Sequence, residues 1–224
     1  MRPILLSWSG GKDSALALWR LLRSGSWRPV GLLCSISQPY DRVTMHGVRR
    51  QLIAQQAQAL GIALVPIFLP PEPTNAAYEA AWAEVLWEWR RRGLRHVAFG
   101  DVFLEDIRAY RERQLAALGL EPVFPVWTGS SDRKASWRLL EEFWSAGFRT
   151  RIVCVELKKL GPEWAGRELR PALARRLPSE VDPCGENGEF HTFVFAGPCF
   201  QSPVSHRLGS RVLCRGFCYR DLEE

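Results

Sequence analysis

Six residues, Ser9-Gly10-Gly11-Lys12-Asp13-Ser14, constrain this chain more than any others. They follow an apolar run, Ile4-Leu5-Leu6. They precede Ala15, Leu18, Trp19 and Leu22, which recur at helical spacing until Gly25. A strand, a glycine turn and a helix in that order make a cradle for an anion. The glycines let backbone N–H groups turn inward, and the helix start adds positive dipole. Ser9 and Ser14 can donate hydroxyl hydrogen bonds, Lys12 can neutralise charge, and Asp13 can hold Mg²⁺ or order the loop. The string is not the G-x-x-x-x-G-K-[ST] loop: Leu6 stands where the first glycine belongs, and Asp13 follows the lysine. Nor is it G-x-G-x-x-G. The residues point to a phosphate-binding loop.

The rest of the first half alternates strand and helix. Val30 to Ser35 reads as a second strand, and Val48 to Leu60 as a helix closed by Gly61. Ile62 to Leu69 is β-rich, with Pro66 weakening that reading. Tyr78, Trp82, Val85, Leu86 and Trp89 form a helical stripe, read as core or as a surface for a second copy in a homodimer. His96 to Phe99 is a strand ending at Gly100-Asp101, and Leu104 to Leu118 is a helix. This predicts an α/β fold, a parallel sheet covered by helices on both faces. In such sheets ligands sit beyond the carboxyl ends of the strands.

After Trp127 the pattern changes. Thr128 to Asp132 is a polar break. It is followed by a helix from Lys134 to Ala146, a strand from Thr150 to Leu157, and a short helix near Gly166 to Arg176. An extended segment from Phe190 to Phe195 comes next, and a strand-like tail from Arg211 to Tyr219 closes the chain. These predict a smaller α+β domain at 129–224, behind a first domain at 1–128.

Composition excludes several classes. With 46% hydrophobic and 24% charged residues the chain can fill a core. No apolar run reaches the ~18 residues of a membrane span, and the start reads as a buried strand, not a signal peptide. The six cysteines show no dense framework and no C-x-x-C, so reduced thiols in the cytoplasm are expected. The net charge of +6 admits an acidic partner. Nucleic acid is the less favoured one, because no aromatic-interleaved motif accompanies the charge.

Three further segments carry chemistry. Thr44-Met45-His46-Gly47-Val48 puts His46 just before a helix, where it can meet a base or a phosphate. Gly100 to Arg111 is dense in carboxylate and guanidinium. Asp101 stands at a strand end, able to ligate Mg²⁺, and Glu105, Arg108, Tyr110 and Arg111 lie on the next helix, with Glu105 and Arg108 spaced to pair. Asp182 to Thr192 packs Cys184, Gly185, Glu186, Asn187, Glu189 and His191 into one tight loop. Its carboxylates can orient a substrate, and His191 can act as an acid or base near neutral pH.

The phosphate loop resembles the pyrophosphatase loop of the enzymes that split ATP at the α-phosphate. Together with the HGV segment, GDVFLEDIRAYRE, Phe124-Pro125-Val126-Trp127 and DPCGENGEFHTF, in this order, the chain resembles the diphthine–ammonia ligase family from Leu5 to about Phe200. That resemblance implies a Rossmann-like (HUP-type) ATP-binding domain followed by a smaller domain carrying the DPCGENGE loop. It implies amide formation: ATP and a carboxylate give an acyl-adenylate, and ammonia displaces AMP. Ser9, Gly10, Gly11, Lys12, Asp13, Ser14, His46 and Gly100 would bind ATP, and Asp13 and Asp101 would hold Mg²⁺. Lys12, Asp13, Asp101, Glu186 and His191 would be catalytic. Glu105, Arg108, Tyr110, Arg111, Cys184, Gly185, Glu186, Asn187 and Glu189 would meet the substrate. That substrate is a small-molecule carboxylate or a modified protein, an elongation factor if the acceptor is diphthine. Gly166-Arg167-Glu168-Leu169-Arg170 departs from a familiar GR-x-x-D stretch, since Arg170 replaces the acidic residue. The alternatives are a nucleotide-binding protein without turnover and an RNA-modifying enzyme with the same loop.

Overall fold

The computed structural model describes residues 1–224. Its first half contains β1 (Arg2–Ser7), α1 (Lys12–Arg23), β2 (Trp27–Ser37), β3 (Arg42–Val43), α2 (Arg50–Leu60), β4 (Leu64–Leu69), α3 (Asn75–Arg91), β5 (His96–Ala98), α4 (Glu105–Ala116) and β6 (Glu121–Val123). β4, β2, β1, β5 and β6 lie side by side and parallel, and the short β3 pairs antiparallel with β2. The chain runs outward from β1 in both directions, so the strand order reverses between β1 and β5. A crevice opens at such a reversal, beyond the strand ends.

Both faces of this sheet are covered, which explains its continuous apolar runs. In β1, Ile4 and Leu6 face a core shared with α1 and α2, while Leu5 faces a second core with Trp82 and Leu86 of α3 and Leu115 of α4. The tryptophan stripe is therefore largely core: Trp82 is buried, although Trp87 on the same helix is half exposed. Pro66 is accommodated because β4 pairs only with β2 and so lies at the edge.

The second half contains α5 (Arg133–Ser145), β7 (Arg149–Glu156), α6 (Pro171–Ala174), β8 (Phe190–Ala196), β9 (Arg207–Cys214) and β10 (Phe217–Glu223). Its four strands form an antiparallel sheet in the order β8-β7-β10-β9. The core on the α1 side continues into it through Phe143, Ile152, Val155, Phe193 and Val194. The architecture is α/β, with a Rossmann-like sheet and a second antiparallel sheet, as the sequence predicts. No helix is long and apolar enough to cross a membrane, and all six cysteines are unbridged.

Two local expectations fail, and one short strand went unread. The helix near Gly166 to Arg176 shrinks to the four residues of α6, because the chain before it runs alongside β7: Ile152 N–H donates to Arg167 O, and Leu169 N–H to Thr150 O. The tail is a hairpin rather than one strand, turning at Arg215 and Gly216 with φ of 50° and 83°. Two left-handed residues suit a tight hairpin, but arginine at the first is no sequence signal for one. β6 is too short, at three residues, to leave a periodic trace.

Candidate active site

The Ser9–Ser14 loop lies at the reversal point, joining β1 to α1. Gly10 takes φ +79°, and a Cβ there would stand 2.6 Å from Ile53 Cδ1 and 2.8 Å from Gln56 Oε1. No other residue fits. Ser14 Oγ donates to Gly11 O at 2.9 Å and lies 3.4 Å from Ser9 Oγ.

Gln56, from α2, fastens the turn. Its Oε1 accepts from Trp8 Nε1 at 2.9 Å, and its Nε2 donates to Gly10 O at 3.0 Å and to Val194 O at 2.6 Å. Sequence reasoning missed it. The available signal was a polar residue within the buried stripe Leu52, Ile53, Ala57 of α2. Thr192 of β8 was missed as well: its Oγ1 accepts from Lys12 N–H at 3.0 Å, while Val194 N–H donates to Gly10 O at 2.8 Å. The second sheet is thus latched to the backbone of the phosphate loop.

Lys12 does not project freely. Its side chain is 4% exposed, and its ammonium donates to Asp13 Oδ2 at 2.8 Å and to the Cys184 carbonyl. Burial works against its charge, but neighbouring Asp13 and Asp182 more than offset that and hold its pKa above the usual lysine range.

On the other side of the crevice Gly100 presses on the loop. A Cβ there would lie 2.9 Å from Ser14 N and 3.0 Å from the Asp13 carbonyl carbon. Asp101 follows directly. Its buried Oδ2 has no hydrogen-bond partner, and Arg111 Nε, equally unpartnered, is 3.9 Å away. The Arg111 guanidinium also donates to the Tyr78 hydroxyl at 3.2 Å. Glu186 arrives from the second half, its Oε1 accepting from Val102 N–H at 2.7 Å. Burial, then repulsion from Asp13 and Asp101, pushes the Glu186 carboxyl up to about 8. Burial and Asp13 likewise raise Asp101, with Arg111 opposing.

The carboxyl groups of Asp13, Asp101 and Glu186 lie near enough to raise one another's pKa, Lys12 bonds Asp13, Arg111 stands beside Asp101, and Asp101 Oδ2 is orphaned. That donor set fits a hard cation such as Mg²⁺. No group of three or more His, Cys, Asp and Glu is assembled to hold a metal by itself, which suits an ion completing its shell with phosphate oxygens and water.

His46 and His191 close the other flank. Their rings lie 4.5 Å apart, and His46 Nε2 would stand 3.2 Å from a Cβ at Gly11. His191 Nε2 is buried without a partner. Burial, with Lys12 nearby, lowers His191 to about 4, and burial with His191 lowers His46 as well. The expectation that His191 titrates near neutral pH is corrected: it is a neutral imidazole at pH 7, suited to hydrogen bonding.

The remaining predicted residues divide. Within the Asp182 to Glu189 loop, Asp182 Oδ2 accepts from Cys184 N–H at 3.0 Å and Glu186 N–H at 3.1 Å. Glu189, 2% exposed, accepts from Asp182 N–H at 2.8 Å and from the Asn187 backbone and side chain, both at 3.0 Å. Gly185 has φ +68° with Phe190 O close behind it. Cys184 Sγ lies 3.4 Å from Ser136 O, and burial raises its thiol well above the usual range. These groups shape the loop that presents Glu186. On α4, Glu105 is exposed and does not pair with Arg108. Arg108 instead donates to Glu112 at 2.9 Å, one helical turn on, and stacks over Phe124 and Trp127. Burial and Glu79 of α3 push the Tyr110 phenol up to about 12.

No curated protein matches this chain. Residues 1–122 match the family model described as the diphthamide synthase N-terminal domain, and residues 135–217 the one described as the diphthamide synthase C-terminal domain. The chain belongs to the diphthamide synthase family.

Proposed function

We propose that the chain is an ATP-dependent ligase that joins a substrate carboxylate to ammonia through an acyl-adenylate, releasing AMP and pyrophosphate. The observation that carries this reading is the convergence on the Ser9–Ser14 loop of Gly100, packed against the backbone of Asp13 and Ser14, and of Glu186, bonded to Val102 N–H, at the point where the strand order reverses. Family membership supports ATP as the co-substrate, and diphthine on an elongation factor as the acceptor. The six unbridged cysteines suit the cytoplasm. Residues 1–128 would form the ATP-binding part and 129–224 the part that meets the acceptor.

In this reading Ser9, Gly10, Gly11 and Ser14 hold the β and γ phosphates, and Lys12 supplies positive charge from beneath the turn. Asp13 and Asp101 would hold Mg²⁺, which when bound offsets charge on the polyphosphate. His46 and His191, both neutral, offer hydrogen bonds along the same chain of phosphates. The acceptor carboxylate attacks the α-phosphorus and pyrophosphate leaves. Ammonia then attacks the acyl carbon, AMP leaves, and the nitrogen sheds a proton. Arg111, with an unpartnered Nε beside Asp101, is placed to hold the acceptor carboxylate. Fixing both reactants and meeting charge with preorganised groups supplies the acceleration. The Asp182–Glu189 loop covers the crevice and keeps water from the adenylate.

ATP–pyrophosphate exchange over a panel of carboxylates, with ammonium added afterwards, tests this. Exchange that depends on a carboxylate supports the ligase. Nucleotide binding with no exchange for any carboxylate leaves a binding protein without turnover.

A further inference from the structure

A cluster of arginines on the second sheet is unused by the chemistry above. Glu168 is its only carboxylate. Arg149 Nε meets Glu168 Oε1 at 2.9 Å, and Arg170 Nη2 meets Oε2 at 2.7 Å. With both oxygens engaged, the remaining arginines have no acidic partner. Arg151, bridged to Glu168 through the backbone, donates from Nε to His206 Nε2 at 3.0 Å and from Nη1 to Gly166 O. Arg220 folds over Gly166, where a Cβ would stand 3.0 Å from its Cγ, and its buried Nε has no partner at all. Arg211 lies directly opposite Arg220 on the β9–β10 ladder.

Like charges facing each other across a ladder are destabilising. Here four guanidiniums, of Arg149, Arg151, Arg170 and Arg220, gather around one carboxylate. The crowding is felt at Arg151, whose pKa falls below the usual range through burial and through Arg149, Arg170 and Arg220. His206 does not relieve it, because burial and Arg151 keep that ring neutral. Arg149 and Arg151 are held in place over the Phe195 ring, 4.8 and 5.8 Å from its centroid.

We propose that Arg149, Arg151, Arg170 and Arg220 form a second binding site, separate from the ATP crevice, that takes a phosphate group. Forked guanidiniums arriving from several directions match the several oxygens and multiple charge of a phosphate better than a single carboxylate. The unpartnered Arg220 Nε supplies a donor that the fold itself leaves unmet. The phosphate could belong to a small metabolite or to an RNA backbone.

The test titrates the full chain with inorganic pyrophosphate and, separately, with a fluorescein-labelled single-stranded oligoribonucleotide. The wild type is expected to bind at least one probe through a component that the Arg151→Gln/Arg220→Gln variant weakens ~10-fold or more. Glu168→Gln, which removes the only carboxylate, is expected to tighten the same component. Thermal melting of the glutamine variant, expected at or above the wild-type midpoint because crowded charge is removed, separates loss of the site from loss of the fold. Weakened pyrophosphate binding alone in the glutamine variant identifies a small ligand, and weakened oligoribonucleotide binding identifies a phosphodiester backbone. Equal affinity in wild type and the glutamine variant for both probes, or no binding of either by the wild type, overturns the proposal. ATP–pyrophosphate exchange is expected to be unchanged in the glutamine variant. Absence of exchange in the wild type would count against the ligase reading and leave this site standing.

Discussion

The backbone N–H of Lys12 donates to the side chain of Thr192 at 3.0 Å, across 180 residues of sequence. The first turn of α1 is therefore completed by the second sheet. Thr192→Val leaves that buried N–H unmet, at a cost of about 1–3 kcal/mol. Urea denaturation is expected to show the loss, ATP–pyrophosphate exchange is expected to weaken with it, and Thr192→Ser is expected to restore both.

Glu186→Gln separates charge from shape. A glutamine carbonyl can still accept from Val102 N–H, so the loop stays in place. Above pH 8, where the Glu186 carboxyl is ionised, removing a charge crowded by Asp13 and Asp101 is expected to leave thermal stability equal or higher. Exchange with Mg²⁺ and ATP is expected to fall ~100-fold or more, as when a preorganised electrostatic contact is lost. Lower stability with full exchange would assign Glu186 a purely structural role.

Gly100→Ala tests the close approach of β5 to the phosphate loop. The added methyl meets backbone atoms of Asp13 and Ser14 at about 3 Å, and backbone cannot swing aside as a side chain can. Strain of ~1–3 kcal/mol is expected, with the apparent KM for ATP rising because the loop is displaced. An unchanged KM would show that the loop tolerates the shift.

The buried histidines set an acid limit on the fold. His191 titrates at about 4 in the folded protein, against 6.5 when free, and His46 is lowered in the same direction. Between these values the unfolded chain binds a proton that the folded chain refuses. The stabilising effect of burying a neutral ring is therefore complete above pH 6.5 and lost as pH falls toward 4. For His191 it amounts to roughly 3 kcal/mol at most. Glu186, held up at about 8, acts in the opposite sense, so wild type and His191→Asn are compared at each pH, where its effect cancels. The variant is expected to lose less stability than wild type between pH 6.5 and 4.5 in urea denaturation.

The fold was legible in the sequence where periodicity is long. α1, α3 and α5 show apolar stripes of several turns, and the loop at Ser9 falls between two such signals. The Arg215-Gly216 turn and three-residue β6 were not legible, because one uses a residue that rarely takes positive φ and the other is shorter than a repeat. The site was legible as segments but not as a division of labour. Spacing shows that Glu186 and Glu189 share a loop. Only the fold shows that Glu189 faces inward to its own backbone while Glu186 reaches Val102. The shifted His191 pKa and the turned-in Lys12 arise from burial by distant elements, which local sequence does not encode.

In the proposed reaction the bond broken is the one between the α and β phosphates. The most direct measurement follows the radioactive product of α-³²P-labelled ATP during single turnovers with an acceptor carboxylate and ammonium. Labelled AMP is expected, formed together with the amide. Labelled ADP, with release of inorganic phosphate, would rule out cleavage at the α-phosphate.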